Sequence, residues 1–237
     1  MFSPQKIKAV LFDLDGTLRL HIPSGGDVFS ARAREIGLRI SDEDQIRAER
    51  WEHYYFANSP EIKKDFEEFK EDAFWVNFSR RRLVALGCNP KDAAELSRPI
   101  SAYMRDHYKP EVRVPEDSRA LLSSLQEGGY ILGVISNRDK PFHEELKNLK
   151  LDSHFSFSLA GGEVKSFKPE PAIFEHGLKR AGVNADEAIY VGDNYFADII
   201  GSLRAGLTPV LYDPNSLFPE AECAVIKSFG ELHRLLK

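Results

Sequence analysis

The chain has 237 residues, of which 42% are hydrophobic and 29% charged, and its formal net charge at pH 7 is −5. A disordered chain would have fewer apolar residues, so this composition indicates a globular protein of one large or two modest domains. A net negative charge gives no attraction to nucleic acid or to an anionic membrane surface, and we expect neither partner.

The cysteines and the hydropathy pattern indicate a cytoplasmic protein. Cys88 and Cys223 are too few for a disulfide framework or a four-cysteine zinc site. The apolar run near the N-terminus is too short for a signal peptide and ends in acidic residues. No stretch has the roughly 18 consecutive apolar residues of a membrane span. We therefore expect a cytoplasmic location and no membrane partner.

The predicted elements begin with one short strand, followed by a long helical region. Ile7–Phe12 is a β-branched apolar run that ends at Asp13, which is typical of a strand buried on both faces of a parallel sheet. From residue 19 to 114 there is no strand-like run, and the apolar residues fall at helical spacing. Proline and glycine predict breaks in this region near Pro60, Pro90 and Pro110.

After the helical region, strand and helix patterns alternate. The strand-like runs are Tyr130–Ile135, Ala188–Val191 and Pro209–Tyr212. The helical patterns are Glu116–Glu127, Pro171–Ala181 and Asp198–Ala205, and each is followed by glycine. This alternation predicts an α/β fold with a parallel sheet in a three-layer, Rossmann-like core. Residues 1–18 and 115–237 would form that core, with residues 19–114 inserted as an all-helical domain.

Several features of the helical insert have a structural and a functional interpretation. The charged segments Asp65–Asp72 and Arg80–Arg82 are predicted to be solvated helix faces, with a phosphate-contact patch at Arg80–Arg82 as the alternative. His21 is expected at the surface, although it could reach a substrate. The aromatic side chains at helical spacing favour the core of the insert over a pocket lining; these are Trp51, Tyr54, Tyr55 and Trp75.

Chemically active side chains follow the predicted strands, at the sheet edge where open α/β folds bind ligands. The motifs after the strand-like runs are Asp13–Thr17, Ser136–Arg138 and Gly192–Asn194, with Asp198 farther on, and Lys168-Pro169 precedes a predicted helix. Each motif alone is typical of a turn, a helix cap or a loop. Together they would bring four carboxylates, a hydroxyl and a lysine to one edge. Clustered carboxylates repel one another unless a hard cation neutralises them, and Mg²⁺ suits such oxygen ligands.

This combination of motifs resembles the haloacid dehalogenase-like superfamily. The residues that carry the resemblance are DLDGT at Asp13–Thr17, the apolar strand ending in Ser136, Lys168-Pro169, and GDNYFAD at Gly192–Asp198. The insert resembles the helical cap of that family in position, length and pattern. The resemblance implies a hydrolase core with an inserted helical cap.

The resemblance also implies roles for the acidic residues. Asp13 would be the nucleophile and would form an aspartyl-phosphate. Asp15 would be general acid for the leaving oxygen and then general base for water, a task suited to a raised pKa. Mg²⁺ would be bound by the carboxylates of Asp13 and Asp193 and by the backbone carbonyl of Asp15.

Further residues would bind phosphate or support the site. The Ser136 hydroxyl and the Asn137 backbone N–H would hold phosphoryl oxygens, and Lys168 would offset negative charge in the transition state. Asp198 would orient a ligand or Lys168 without contacting the metal. The resemblance gives Thr17 and Asn194 a similar supporting position.

The second aspartate favours phosphoryl transfer over dehalogenation, because members of the family that cleave carbon–halogen bonds lack a counterpart of Asp15. The leading hypothesis is a Mg²⁺-dependent phosphatase for a small phosphorylated metabolite, of the nucleoside monophosphate or sugar phosphate class, since a closing cap would exclude macromolecules. A phosphomutase or other phosphotransferase on the same core is one alternative. A non-catalytic binding protein with this fold is the other.

Overall fold

The computed structural model describes residues 6–236, which form two compact units. One unit contains the described residues up to Leu20 and those from Arg113 onward, and the other contains His21–Val112. The predicted insert, residues 19–114, extends two residues beyond the second unit at each end. Residues 1–5 and 237 of the predicted core lie outside the described residues.

The described residues form eight strands, numbered in chain order. They are β1 (Ala9–Phe12), β2 (Leu20–Ile22), β3 (Glu111–Arg113), β4 (Ile131–Ser136), β5 (Phe157–Ala160), β6 (Ala188–Gly192), β7 (Thr208–Tyr212) and β8 (Ala224–Ile226). The strands β2 and β3 pair in a small sheet of their own where the chain passes between the units. The other six form one sheet in the order β5-β4-β1-β6-β7-β8, and every adjacent pair is parallel.

Eleven α-helices occur in the described residues. The helices of the second unit are α1 (Gly25–Glu35), α2 (Asp42–Phe56), α3 (Pro60–Glu68), α4 (Glu71–Ala85) and α5 (Pro90–His107). The helices of the first unit are α6 (Ser118–Glu127), α7 (His143–Asn148), α8 (Gly161–Val164), α9 (Pro171–Ala181), α10 (Ile200–Arg204) and α11 (Phe229–Leu235).

The side chains of β1 alternate between two apolar cores on opposite faces of the sheet. Val10 and Phe12 pack in one core with leucines of α6 and with Phe229 of α11. Ala9 and Leu11 pack in the other core with apolar side chains of α9. The sheet is therefore covered by helices on both faces, which confirms the predicted three-layer α/β fold.

Four strands and several helices differ from the sequence-based expectation. β2 and β3 lie within residues 19–114, where no strand was predicted because each spans only three residues, so the prediction of an all-helical insert is wrong at its two ends. β5 and β8 were not predicted, because FSLA contains no β-branched residue and AVI spans three residues. The predicted helix Asp198–Ala205 is not one regular helix. Its first two residues belong to a π-helical turn over Tyr195–Ile199, and α10 follows directly. The helix predicted from Glu116 begins at Ser118.

The second unit has its own apolar cores, and its helices end close to the predicted breaks. α2 ends at Phe56, α4 at Ala85 and α5 at His107. Four of its five helices begin after a Ser or Asn whose side chain accepts a hydrogen bond from a backbone N–H of the first turn. Tyr55 is fully buried and Trp51 packs beside it, whereas Trp75 is half exposed.

The prediction of solvated charged faces in this unit is wrong at two residues. Asp65 and Arg82 are each 1% exposed. Asp65 accepts hydrogen bonds from the Tyr55 hydroxyl at 2.9 Å and from Arg81 at 2.8 Å, and Arg82 forms an ion pair with Glu52. Arg81 and Arg82 thus form ion pairs within the helical unit.

Candidate active site

Three residues of the candidate site lie at the carboxyl ends of three neighbouring strands. Asp13 directly follows β1, Ser136 is the last residue of β4, and Asp193 directly follows β6. Because β1 lies between β4 and β6 and all three are parallel, these residues lie side by side at the carboxyl edge of the sheet. The sequence order of the strands reverses around β1, which is where open α/β sheets bind ligands.

Lys168 joins several polar groups of the site. Its ammonium nitrogen lies 2.5 Å from Oδ1 of Asp13, 2.6 Å from Oδ1 of Asp198 and 3.1 Å from the Tyr190 hydroxyl. An ammonium has three N–H donors, so each donor has an acceptor within the protein. Burial lowers the pKa of Lys168, but the adjacent carboxylates outweigh burial and hold the pKa well above its ordinary value. Lys168 is therefore cationic.

Three carboxylates are crowded at this edge of the sheet. Asp13, Asp193 and Asp198 each offer one oxygen, and these oxygens lie within 4.8 Å of one another. Burial raises the pKa of Asp13 and that of Asp193 to about 7, and it also raises the pKa of Asp198. When all three are ionised, one ammonium leaves two negative charges uncompensated. An oxygen-only donor set with this charge fits a hard divalent cation.

Thr17 and Gly16 hold Asp193 in place. The Thr17 hydroxyl donates to Oδ1 of Asp193 at 2.9 Å, and the Asp193 backbone N–H donates to the same hydroxyl oxygen at 3.0 Å. Gly16 has a φ of +94°, and a Cβ at this position would lie 2.3 Å from Oδ2 of Asp193. Glycine is thus required by both the backbone conformation and the approach of the carboxylate.

Asp198 is held between Lys168 and the backbone that follows β6. Its Oδ1 accepts from Lys168, and its Oδ2 accepts from the backbone N–H of Asn194 at 2.9 Å. The Asn194 side chain caps the π-helical turn by accepting from the N–H groups of Phe196 and Ala197. Asp198 therefore lies against Lys168.

The Asn137 side chain links the end of β4 to the Lys168 loop. Its Oδ1 accepts from the Lys168 backbone N–H at 2.6 Å, and its Nδ2 donates to the Lys168 carbonyl at 2.9 Å. The sequence-based hypothesis assigned a role to the backbone N–H of Asn137 and none to its side chain. These two bonds fix the backbone from which the Lys168 side chain extends.

Asp15 differs from the expectation of a raised pKa. Its carboxylate accepts from Nε and Nη2 of Arg138, both at 2.9 Å, and from Nη1 of Arg19 at 2.9 Å. Burial raises the pKa of Asp15, but the hydrogen bonds and charges of the two arginines outweigh burial and lower the pKa. The two arginines also contact Glu145 on α7, so the four side chains form one charged network.

The sequence matches the family model for haloacid dehalogenase-like hydrolases over residues 10–211, which is most of the chain. The match spans every element that brings Asp13, Lys168 and Asp193 together. The chain belongs to the haloacid dehalogenase-like hydrolase family. The resemblance inferred from the motifs is thereby confirmed.

Relatives of this haloacid dehalogenase-like hydrolase include both phosphatases and dehalogenases. The ribulose-1,5-bisphosphate 5-phosphatase of Halopiger xanaduensis is 30% identical and the alignment covers 91% of this chain and 89% of the relative. The (S)-2-haloacid dehalogenase 4A of Burkholderia cepacia is 32% identical over 97% of this chain and 95% of the relative. The crystal structure of a HAD phosphatase from Thermococcus onnurineus has a TM-score of 0.58 and 25% identity, and covers 97% of this chain and 98% of that structure.

The prediction of an enzyme is confirmed by these similarities, and the phosphatase relatives support the class of phosphoric monoester hydrolases. Among the described residues, no helix combines the length and the apolar character needed to cross a bilayer.

Several contacts of the haloacid dehalogenase-like site were missed by reasoning from sequence. Arg138 directly follows the Ser136-Asn137 motif, and Arg19 lies four residues after Asp15, so proximity along the chain was an available signal for both. Tyr190 carried a weaker signal, as a hydroxyl within an otherwise apolar strand. Its hydroxyl donates to the Ile135 carbonyl at 3.0 Å while accepting from Lys168.

Proposed function

We propose that this hydrolase is a Mg²⁺-dependent phosphatase that cleaves a small phosphorylated metabolite through an aspartyl-phosphate intermediate. The observation that carries the proposal is the contact of the Lys168 ammonium with Asp13, beside the carboxylates of Asp193 and Asp198. A nucleophilic carboxylate, a cation that holds it and an oxygen-rich metal site are thus adjacent.

Asp13 is the proposed nucleophile. Its carboxylate attacks phosphorus in line, so that a P–O bond to Asp13 forms while the P–O bond to the leaving oxygen breaks. Lys168 favours the ionised form of Asp13 against the burial that raises its pKa. The hydroxyl of Ser136, at the end of the neighbouring strand, and the backbone N–H of Asn137 hold the phosphoryl oxygens.

Asp15 is the proposed acid and base of the reaction. Arg138 and Arg19 lower the pKa of Asp15, but the negative charge of a phosphate ester bound beside it favours the protonated form. Asp15 then donates a proton to the leaving oxygen in the first step and takes one from the attacking water in the second step. A leaving halide needs no proton, whereas a leaving alkoxide does. The presence of Asp15 therefore favours phosphate-ester cleavage over the dehalogenase activity named for the Burkholderia cepacia relative.

Asp13, Asp193 and the backbone carbonyl of Asp15 are the proposed ligands of Mg²⁺. When bound, Mg²⁺ supplies positive charge that neutralises the carboxylates and polarises the phosphoryl group. Thr17 orients Asp193 through two hydrogen bonds. Asp198 orients Lys168, and Asn194 in turn orients Asp198.

The substrate is proposed to be a small phosphate monoester, of the sugar phosphate or nucleoside monophosphate class. The helical unit His21–Val112 is inserted in sequence directly after the Asp13–Thr17 motif, and we assign it the role of a cap. A closing cap shields the reaction from bulk water and limits substrate size. The sugar bisphosphate named for the Halopiger xanaduensis relative supports this class.

Phosphate release from a panel of phosphorylated metabolites tests the proposal. Wild-type protein should release phosphate with Mg²⁺ and lose activity in EDTA, and Asp13→Asn should be inactive with every substrate. Asp186→Asn is the matched control, because Asp186 is a surface carboxylate of the same unit paired with Lys6. Equal turnover by wild type and Asp13→Asn would refute the mechanism. Transfer of the phosphoryl group to an added alcohol in preference to water would indicate a phosphotransferase instead.

A further inference from the structure

The guanidinium of Arg138 is fixed on three sides. One edge, formed by Nε and Nη2, contacts both oxygens of Asp15 at 2.9 Å. The other edge contacts both oxygens of Glu145 through Nη1 and Nη2, and the Phe142 ring lies 5.7 Å from the guanidinium carbon. A planar fork bound to a carboxylate at each edge has one orientation that satisfies both.

Asp15 depends on this network for its own orientation. Its side chain is 41% exposed, so apolar packing restrains it less than it restrains the buried Asp13. Both of its oxygens nevertheless accept hydrogen bonds from Arg138, and Arg19 adds a third. Arg19 is held close because its backbone N–H donates to the Leu14 carbonyl at 2.8 Å and its carbonyl accepts from the Gly16 N–H at 2.9 Å.

We propose that Arg138, itself fixed by Glu145 and Phe142, is a positioning residue that holds the Asp15 carboxylate in the geometry for proton transfer to the leaving oxygen. This inference rests on the proposed function, because it needs Asp15 to act as general acid. Proton transfer is efficient when the acid lies within hydrogen-bond distance of the leaving atom, and a displacement of about 1 Å costs on the order of 100-fold in rate. Loss of Arg138 would then slow the steps that need a proton on the leaving oxygen and leave the rate of the other steps unchanged.

Two esters with different leaving groups separate positioning from a general effect on folding. An alkyl phosphate, such as a sugar phosphate that the wild type hydrolyses, needs a proton on its leaving oxygen. The dinitrophenolate of 2,4-dinitrophenyl phosphate leaves without one. We expect Arg138→Gln to lower kcat/KM for the alkyl ester by about 10- to 100-fold and for the dinitrophenyl ester by less than about 3-fold. Glu145→Gln should shift the ratio of the two values in the same direction, by a smaller factor.

Conservative and remote variants sharpen the test. Arg138→Lys keeps the charge but lacks the planar fork, so its ratio of kcat/KM values should be closer to that of Arg138→Gln than to wild type. Arg180→Gln is the matched control, because the Arg180 guanidinium also contacts a glutamate, Glu163, and a backbone carbonyl. It should leave the ratio unchanged.

The outcomes distinguish this inference from the function on which it rests. If Arg138→Gln slows both esters equally or slows neither, or if Arg138→Lys restores the wild-type ratio, positioning by Arg138 is overturned while the phosphatase stands. If wild-type protein cleaves neither ester, or if Asp13→Asn cleaves both as fast as wild type, the proposed function fails and the inference fails with it.

Discussion

Raising the pH in the absence of divalent cations should destabilise the folded protein, because Asp13 and Asp193 must then ionise within a crowded, buried cluster. Both carboxyls have a pKa of about 7 in the folded state, against an ordinary value of 3.8. A carboxyl whose pKa is raised by folding holds its proton more tightly in the folded state. Its stabilising contribution is therefore full below a pH of about 4 and is lost as the pH rises through about 7.

The size of the effect follows from the shift. A difference of about three pH units corresponds to about 4 kcal/mol for one carboxyl that has ionised completely. For a protein of this length, 1 kcal/mol changes Tm by about 2–4 °C, so we expect Tm to fall by about 10 °C as the first carboxyl ionises. The proposed Mg²⁺ site needs ionised carboxylates, so stabilisation by Mg²⁺ should grow over the same pH range.

Thermal unfolding between about pH 4 and pH 8, in EDTA and in Mg²⁺, measures this dependence. Asp193→Asn removes one titrating group and one proposed metal ligand, and Asp186→Asn serves as the surface control. In EDTA, Tm should fall more steeply for wild type and the control than for Asp193→Asn, and Mg²⁺ should raise Tm at high pH for the first two. The reasoning is refuted if Tm in EDTA falls no more steeply for wild type than for Asp193→Asn, or if Mg²⁺ stabilises all three proteins equally.

Three further substitutions test separate parts of the structure. Gly16→Ala places a Cβ within 2.3 Å of Oδ2 of Asp193 at a φ of +94°. It should cost about 2–4 kcal/mol of stability and weaken Mg²⁺ binding measured by calorimetry. A variant with wild-type Tm and wild-type Mg²⁺ affinity would contradict this geometry. Lys168→Met leaves Asp13 and Asp198 without their shared cation, and should lower the free energy of unfolding by about 3–5 kcal/mol in urea titrations at neutral pH. The loss should shrink in mild acid, where these carboxyls bind protons, and a pH-independent loss would argue against the charge effect. Arg82→Met combined with Glu52→Gln replaces an ion pair between the buried Arg82 and the partly exposed Glu52. Nε and Nη2 of Arg82 have no hydrogen-bond partner among the described residues, so Tm should stay unchanged or rise. A loss above about 2 kcal/mol would show that the pair stabilises the helical unit.

The acidic part of the site could be predicted because it depends on strand ends. Asp13 and Asp193 follow apolar runs of the length and composition typical of buried parallel strands, and the parallel sheet brings such positions to one edge. Lys168 lies in a loop between elements, where no local pattern fixes its position. Its inclusion rested on its place before a predicted helix and on the family resemblance, and its contact with Asp13 spans 155 residues of sequence.

The partners of charged side chains could not be predicted, because pairing depends on distant segments. Asp15 was expected in a carboxylate cluster that raises its pKa, yet Arg138, 123 residues away, lowers it. Asp65 and Arg82 lie in charge-rich helical segments whose composition predicts solvent exposure. The packing of α2, α3 and α4 against one another instead buries both. Periodicity predicts which element a residue belongs to, whereas ion pairing is decided by which elements meet.

The proposed aspartyl-phosphate is tested most directly by trapping it. Asp15→Asn lacks the proposed base for the second step, and p-nitrophenyl phosphate supplies a leaving group with little need of an acid in the first. Mixing the two with Mg²⁺ should give a burst of one nitrophenolate per protein. Mass spectrometry after acid quenching should then find one phosphoryl group on the peptide that contains Asp13, and none in Asp13→Asn. A variant that turns over without a burst, or a phosphoryl group on a residue other than Asp13, would contradict the account.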